Sequence, residues 1–379
     1  MKKLIILVPS LEGGGQERVA VNTANILQEN FIIKFIVFDL SDSKYIPNCK
    51  VEGLNVPSNS NFFYKIINIF KRAYRLKKIK SEFNCDIVYS FGKSANLVNC
   101  IANGAGQRFI SIRGYKSTKL TFSERILYRK ADMVLCVSNL IKDTLDKKYG
   151  FFKKTEVLYN PFNAEQLYIK SKEQVSDVVF NSKTIISHGR LNVVKNYPRL
   201  IKAFSLLNNV NKYQLLLIGQ GEEETRLLKL IEKYNLQNNV HLLGYKENPF
   251  KYLARSSIYV LSSYNEGFPN SLVEAMHFLP VISVDCKSGP REILSSNIDY
   301  QIEDYKIVDY GLLVREATKL DYDEEINEDD IVLSKAISLY LDNPTLMDEM
   351  KVKANIRAMD FSYGSYKEKI GEFLLRRNN

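Results

Sequence analysis

LIILVPSLEGGGQERVAVNTANILQE, residues 4–29, decides the fold class. It opens on an unbroken apolar run, as a strand buried on both faces of a parallel sheet requires. Val19, Ala20, Ala24 and Leu27 then recur at helical spacing. Between the two, GGGQER (13–18) allows a tight turn and close approach to a ligand, and the head of the next helix presents free N–H groups. The turn is neither GxGxxG nor GxxxxGK[ST], so a ligand-free helix start stays open beside a binding turn. Strand, glycine turn and helix in that order begin an α/β domain.

The alternation continues through FIIKFIVFD (31–39), CDIVYSFG (85–92), RFISIRG (108–114), ADMVLCVS (131–138) and TEVLYN (155–160). It blurs from Asn160 to Ser182, where a linker or crossover fits. A second cycle follows in TIISHG (184–189), YQLLLIG (213–219), NVHLLG (239–244), IYVLSS (258–263), PVISVD (280–285) and YGLLV (310–314). From about residue 331 the chain reads as helices. A length of 379 residues exceeds what one core usually fills. The expectation is two parallel-sheet domains, 1–165 and 166–360, with a last segment 361–379. The cleft between two such domains is the default site.

The composition, 45% hydrophobic and 25% charged, describes a globular protein. Five scattered cysteines without CxxC spacing and three distant histidines suggest no zinc cluster, and they favour a reducing cytoplasm. MKKLIILVPS runs into glycines with no cleavage pattern and reads as a strand, and no segment reaches transmembrane length. The net charge of +10 is uneven. Residues 1–170 carry 27 Lys and Arg against 14 Asp and Glu, and the remainder 26 against 29, so the first half faces the anionic partner if there is one.

The excess has a focus in residues 61–83. There Phe62, Ile66, Ile69, Phe70, Ala73, Leu76 and Ile79 recur at helical intervals among Lys65, Lys71, Arg72, Arg75, Lys77, Lys78 and Lys80. KKYGFFKK (147–154) adds two phenylalanines between lysines. An anionic membrane surface suits both, and a core helix with a solvated basic back is the alternative. Nucleic acid is disfavoured, because no nucleic-acid module is present.

Candidate chemistry concentrates in the second cycle. GRLNVVKN (189–196) sets Arg190 and Lys195 after a strand, two cations that suit a diphosphate. GQGEEETRLL (219–228) repeats the glycine-to-helix layout with acids, which repel phosphate, and reads as structural or as near neutral hydroxyls. NEGFPNSLVEAM (265–276) holds Glu266 and Glu274 eight positions apart. SLVE reads as a capping box with Ser271 at the N-cap and Glu274 reaching back. That leaves Glu266 unexplained in the preceding loop. A carboxylate beside the backbone of Phe268, Pro269, Asn270 and Ser271 suits a ligand with both hydroxyls and phosphate.

Taken in order, GGGQER, GRLNVVKN, GQGEE, NEGFPNSLVEAM and SGPREI resemble the retaining glycosyltransferases of family 4, and EGFPNSLVE matches that family's E-x7-E signature. The resemblance covers nearly the whole chain. It implies the GT-B fold, two Rossmann-like domains facing across a cleft, the first for acceptor and the second for nucleotide sugar. It further implies that Arg190 and Lys195 hold the donor diphosphate, Glu274 the ribose hydroxyls and Glu266 the transferred sugar. Gly14 and Gly15 would lie against donor phosphate and acceptor, with Glu17 on the acceptor side, and Tyr245 in LLGYKEN (242–248) by the base. GSYKEKIGEFLLRRN (364–378) would cross back to the first domain. No metal or other cofactor is implied. Where many relatives carry a histidine, this sequence has Arg113, which cannot act as a base and suits a phosphate or a carbonyl.

The expected activity is therefore transfer of a hexose or N-acetylhexosamine from a UDP-sugar to an undecaprenyl-diphosphate-linked glycan, at the inner face of a bacterial membrane, for capsule or O-antigen. A soluble acceptor, or nucleotide-sugar or polyanion binding without catalysis, are the rival readings.

Overall fold

The computed structural model describes residues 1–12, 14–40, 45–57, 61–151, 154–180, 183–317 and 324–375. The chain divides into two compact units, Met1–Pro161 with Tyr363–Asn379, and Phe162–Ser362. The segment expected as a linker contains a helix, Ala164–Ser171, which lies within the second unit.

The first unit is built on a seven-stranded parallel sheet: β1 (Lys2–Val8), β2 (Phe31–Val37), β3 (Val51–Gly53), β4 (Ile87–Phe91), β5 (Gln107–Ile112), β6 (Met133–Cys136) and β7 (Thr155–Val157), in the order 3-2-1-4-5-6-7. The strands are buried on both faces for the reason their sequences suggest. Leu4, Ile6 and Val8 enter one core, while Ile5 and Leu7 enter the other. The helix Tyr363–Leu375 closes the first of these cores with Tyr366, Ile370, Phe373 and Leu374. Thr23 and Tyr366 hydroxyls meet at 2.7 Å, and Lys2 Nζ donates to the Leu374 carbonyl at 3.0 Å. Residues 376–378 of the expected terminal helix lie outside the described residues.

The second unit repeats the plan with β8 (Thr184–His188), β9 (Gln214–Ile218), β10 (Val240–Leu242), β11 (Ile258–Leu261), β12 (Val281–Val284), β13 (Tyr305–Val308) and β14 (Gly311–Val314), ordered 10-9-8-11-12-14-13. Among the described residues only β13 runs antiparallel, paired with β14 through a tight turn at the sheet edge. The sequence reading missed it, as it missed the three-residue β3. Both are short edge strands, and β13 is partly exposed. The helix Tyr197–Ser205 is fixed from below by charge. Lys202 Nζ meets Asp330 Oδ2 at 2.9 Å with both side chains fully buried, and Arg199 donates twice to the Asp329 carbonyl.

The helix Phe62–Phe83 departs from expectation in detail. Of its expected apolar face only Ala73 and Leu76 are buried, whereas Ile66 and Phe70 are exposed, and the side chain of Phe62 lies outside the description. Three of its cations are not free for a partner. Arg72 stacks 4.1 Å over Phe38 and donates to the Val56 carbonyl, Arg75 donates to the Leu54 and Asn55 carbonyls, and the fully buried Lys80 donates to the Ala102 carbonyl. Periodicity could not separate these from solvated lysines, because the acceptors are backbone carbonyls. In the second basic segment Phe151 is buried and Lys154 is held by the Arg129 and Ala131 carbonyls. Phe152 and Lys153 lie outside the described residues. No helix among the described residues is long and apolar enough to cross a membrane.

Candidate active site

In the second unit β8 pairs with β9 on one side and β11 on the other. The strand order reverses there, so the connections leaving β8 and β11 diverge and open a crevice at the carboxyl ends of the strands. GRLNVVKN leaves β8 and NEGFPNS leaves β11, so topology brings together Lys195 and Glu266, 71 residues apart in the chain. Lys195 Nζ donates to Glu266 Oε1 at 2.7 Å, with the side chains 19% and 13% exposed. Ser263 Oγ donates to the same oxygen at 2.7 Å. Glu266 Oε2 has no partner among the described residues and keeps its acceptor capacity. Burial alone would lower the Lys195 pKa, but Glu266 and then Tyr197 outweigh it and hold the ammonium above the ordinary lysine range. Arg190 is exposed, and its guanidinium makes no hydrogen bond or ion pair among the described residues.

Three loops are locked backbone to backbone around this pair. Gly189 N donates to Ile218 O and Leu191 N to Gln220 O, at 2.9 and 3.0 Å. A Cβ on Gly219, whose φ is +151°, would lie 1.9 Å from the Gly189 carbonyl oxygen. The GQGEE turn is therefore a packing element of the Arg190 loop. SGPREI serves the other side. Ser288 Oγ donates to the Gly267 carbonyl at 2.8 Å, and a Cβ on Gly289 would reach Pro269 Cδ at 2.7 Å. The ring of Phe268 is buried, edge-on to Phe361 at 5.3 Å. Tyr245 is 62% exposed, and its loop is pinned by Lys246 to Asp177 at 2.6 Å and by Asn248 to the Lys170 carbonyl at 2.8 Å.

The capping box expected at SLVE does not form. The helix runs Asn270–Met276 with Pro269 at its N-cap and no side-chain cap. The chain enters the helix directly from the Gly-Phe-Pro loop, so Ser271 falls inside the first turn, its Oγ buried beside Tyr259 with no well-formed hydrogen bond among the described residues. Glu274 thereby sits two positions past the third helical residue, from which a capping-box carboxylate reaches back, and it turns towards the sheet. It is 5% exposed, and its Oε2 lies 3.2 Å from His188 Nε2. The sequence reading named neither His188 nor Ser263. His188 stands immediately before the Gly189–Arg190 motif, and that adjacency was the signal available.

In the first unit the head of the helix Gly15–Leu27 lies by the end of β4, since a Cβ on Gly92 would meet Gln16 Nε2 at 2.5 Å. Gly14 is extended, and a Cβ on it would lie 2.3 Å from Glu17 Oε2, so the Glu17 carboxylate covers the glycine. Gly13 lies outside the described residues. Arg113 follows β5, its guanidinium 5.3 Å over the Phe91 ring. It donates to Ser111 Oγ at 2.9 Å and to Asn160 Oδ1, both neutral, and forms no ion pair among the described residues. No hydrogen bond or ion pair joins Arg113 to Glu17 among the described residues.

Comparison with known proteins adds the family. Residues 13–166 match the model described as Glycosyltransferase Family 4, and residues 170–354 that described as Glycosyl transferases group 1. The chain is 29% identical over 377 residues to the N-acetylgalactosamine-N,N'-diacetylbacillosaminyl-diphospho-undecaprenol 4-alpha-N-acetylgalactosaminyltransferase of Campylobacter jejuni, covering 95% of this chain and 96% of that one. It is 33% identical over 293 residues to an uncharacterised glycosyltransferase of Methanocaldococcus jannaschii, covering 70% and 72%. Among solved structures, HepE of Anabaena in complex with UDP superposes with a TM-score of 0.74 at 18% identity, over 98% of this chain and 99% of that one. With both units matched by the two glycosyltransferase models and a relative a third identical over most of its length, the chain belongs to the family 4 glycosyltransferases and has their GT-B fold.

Proposed function

We propose that the protein is a retaining transferase that moves a hexose or N-acetylhexosamine from a UDP-sugar to an undecaprenyl-diphosphate-linked saccharide, in assembly of a surface polysaccharide such as capsule or O-antigen. The observation that carries this is the convergence of Arg190, the Lys195–Glu266 pair and Glu274 at one reversal of strand order. The C. jejuni relative is named for a polyprenyl-diphosphate-linked acceptor, and the HepE structure contains UDP; both support the reading.

In this scheme the bond between the anomeric carbon and the donor phosphate oxygen breaks, and its electron pair goes to the departing diphosphate. Arg190 and Lys195 are the cations that meet that charge. Glu266 Oε2 accepts from hydroxyls of the transferred sugar, and Glu274 from the ribose. The acceptor oxygen bonds the anomeric carbon on the face the diphosphate leaves, and its proton passes to a donor phosphate oxygen. The configuration is retained without a protein nucleophile and without a bound metal. The amides of Phe268, Asn270 and Ser271 belong to the donor side, beside the Pro269 turn, and Tyr245 lies towards the base. Gly14 and Gly15 belong with the donor phosphate, and Gly15 and Glu17 with the acceptor, to whose phosphate Arg113 offers a cation without a counter-charge.

The membrane reading rests on a smaller surface than the sequence implied. Phe63, Ile67, Phe70 and Tyr74 follow 4-3-4 spacing on the helix Phe62–Phe83 and are 45% to 74% exposed. Lys65, Lys71, Lys77 and Lys78 are exposed on the same helix. An apolar stripe with flanking lysines suits the anionic inner leaflet, as a peripheral contact.

The test is calorimetric titration with UDP of the wild type, Arg190→Ala and Glu274→Ala, followed by assay of sugar transfer to a short-chain polyprenyl-diphosphate saccharide. Each substitution is expected to weaken UDP by about 5- to 150-fold, the usual effect of removing a polar partner of about 1 to 3 kcal/mol. Unchanged affinity in both variants would remove the donor site from this crevice.

A further inference from the structure

His188 is the last residue of β8 and is 8% exposed. Its Nε2 faces Glu274 Oε2 at 3.2 Å, and its ring stands edge-on to Tyr259, centroids 5.6 Å apart at 65°. Its Nδ1 is buried and has no hydrogen-bond partner among the described residues. These facts select a tautomer. A proton on Nδ1 would be a buried donor with no acceptor, and the bare Nε2 would then face a carboxylate oxygen, lone pair against lone pair. With the proton on Nε2, the imidazole donates to Glu274 and the unpaired nitrogen is only an acceptor. Tyr259 and the end of β8 hold the ring, so the donor points in one direction.

We propose that His188 is a positioning residue. It holds the Glu274 carboxylate in the rotamer that accepts hydrogen bonds from the nucleotide ribose, and so sets the preference for a ribonucleotide over a deoxyribonucleotide donor. The inference rests on Glu274 meeting the ribose, as argued above. Glu274 lies on a seven-residue helix that lacks a side-chain cap, and its flexible side chain has several rotamers. A fixed donor on the neighbouring strand orients the carboxylate, as a hydrogen-bond partner behind a metal-ligating histidine orients the imidazole. The 86 residues between the two explain why no local motif links them.

The test is discrimination between UDP and its 2′-deoxy and 3′-deoxy analogues, read as the ratio of dissociation constants by calorimetry. Wild type, Glu274→Ala, His188→Gln, His188→Asn and His188→Phe are compared. A glutamine amide reaches the place of Nε2, an asparagine amide only that of Nδ1, and phenylalanine keeps the packing on Tyr259 without a donor. For at least one analogue, wild type is expected to prefer UDP by about tenfold or more, the effect of one hydrogen bond to a charged acceptor. His188→Gln should keep most of that preference. His188→Asn and His188→Phe should bring it to within about threefold of none, with urea midpoints showing that the variants are folded. Should His188→Phe fail to fold, the contrast between Gln and Asn carries the result. If Glu274→Ala loses the preference while Asn and Phe keep it, the positioning role is overturned and the ribose reading stands. If wild type shows no preference, or Glu274→Ala keeps it, the ribose reading itself falls and the inference with it.

Discussion

Replacing Lys195 with methionine isolates the ion pair on which the donor site is built. The substitution keeps most of the stem that packs on Gly189, where Lys195 Cε is 3.1 Å from a would-be Cβ, and removes the ammonium. Glu266 loses a 2.7 Å charged hydrogen bond and keeps Ser263 Oγ. Breaking a fully buried pair costs about 3 to 5 kcal/mol. Here the side chains are 19% and 13% exposed, and the surviving hydroxyl solvates the carboxylate, so the cost should fall to about 2 kcal/mol, near that of a single charged hydrogen bond. Urea unfolding of wild type, Lys195→Met, Glu266→Gln and the double variant measures it, with a coupling of about 1 to 2 kcal/mol expected from the cycle. The pH dependence has a definite sign. Lys195 is held above its ordinary pKa in the folded state, so its stabilisation is complete below the unfolded lysine value of about 10.4 and is lost as pH rises through the higher folded value. The gap between wild type and Lys195→Met should be flat from neutral pH to about pH 9 and should shrink above about pH 10.4. Coupling below about 0.5 kcal/mol, the level expected of independent sites, or a gap that widens in alkali, would refute the reasoning.

Replacing Phe63, Ile67 and Phe70 together with serine should weaken sedimentation with phosphatidylglycerol vesicles by about tenfold or more, given about 1.5 to 3 kcal/mol for each large apolar side chain fully buried. Reversing Lys71, Lys77 and Lys78 should abolish the salt sensitivity of that binding, and vesicle binding that ignores both sets would return the helix to a solvated role. Gly219→Ala should destabilise the second unit by about 2 kcal/mol or more in urea, since the new Cβ meets the Gly189 carbonyl oxygen at 1.9 Å and φ is +151°. A loss below about 0.5 kcal/mol, within the range of an ordinary surface change, would show that the two glycine loops can part.

The two parallel-sheet units were legible in the residues alone, because strands covered on both faces read as unbroken apolar runs and helices as 3.6-residue patterns. The sequence also determined which loops matter, since glycines, cations and the two glutamates cluster after strands. It could not reach β3 and β13, short strands at the sheet edges. It could not decide which cations of residues 61–83 were free, because Arg72, Arg75 and Lys80 are satisfied by backbone carbonyls from other segments. Nor could it settle Glu274, whose local pattern spelled a capping box. Pro269 caps that helix two residues earlier than the pattern implied, and β8, adjacent to β11 in space, supplied His188 as the partner instead. Hydrogen-bond partners across a parallel sheet are fixed by strand order, which spacing along the chain does not encode. Tertiary structure alone therefore decided that Lys195 meets Glu266 and His188 meets Glu274.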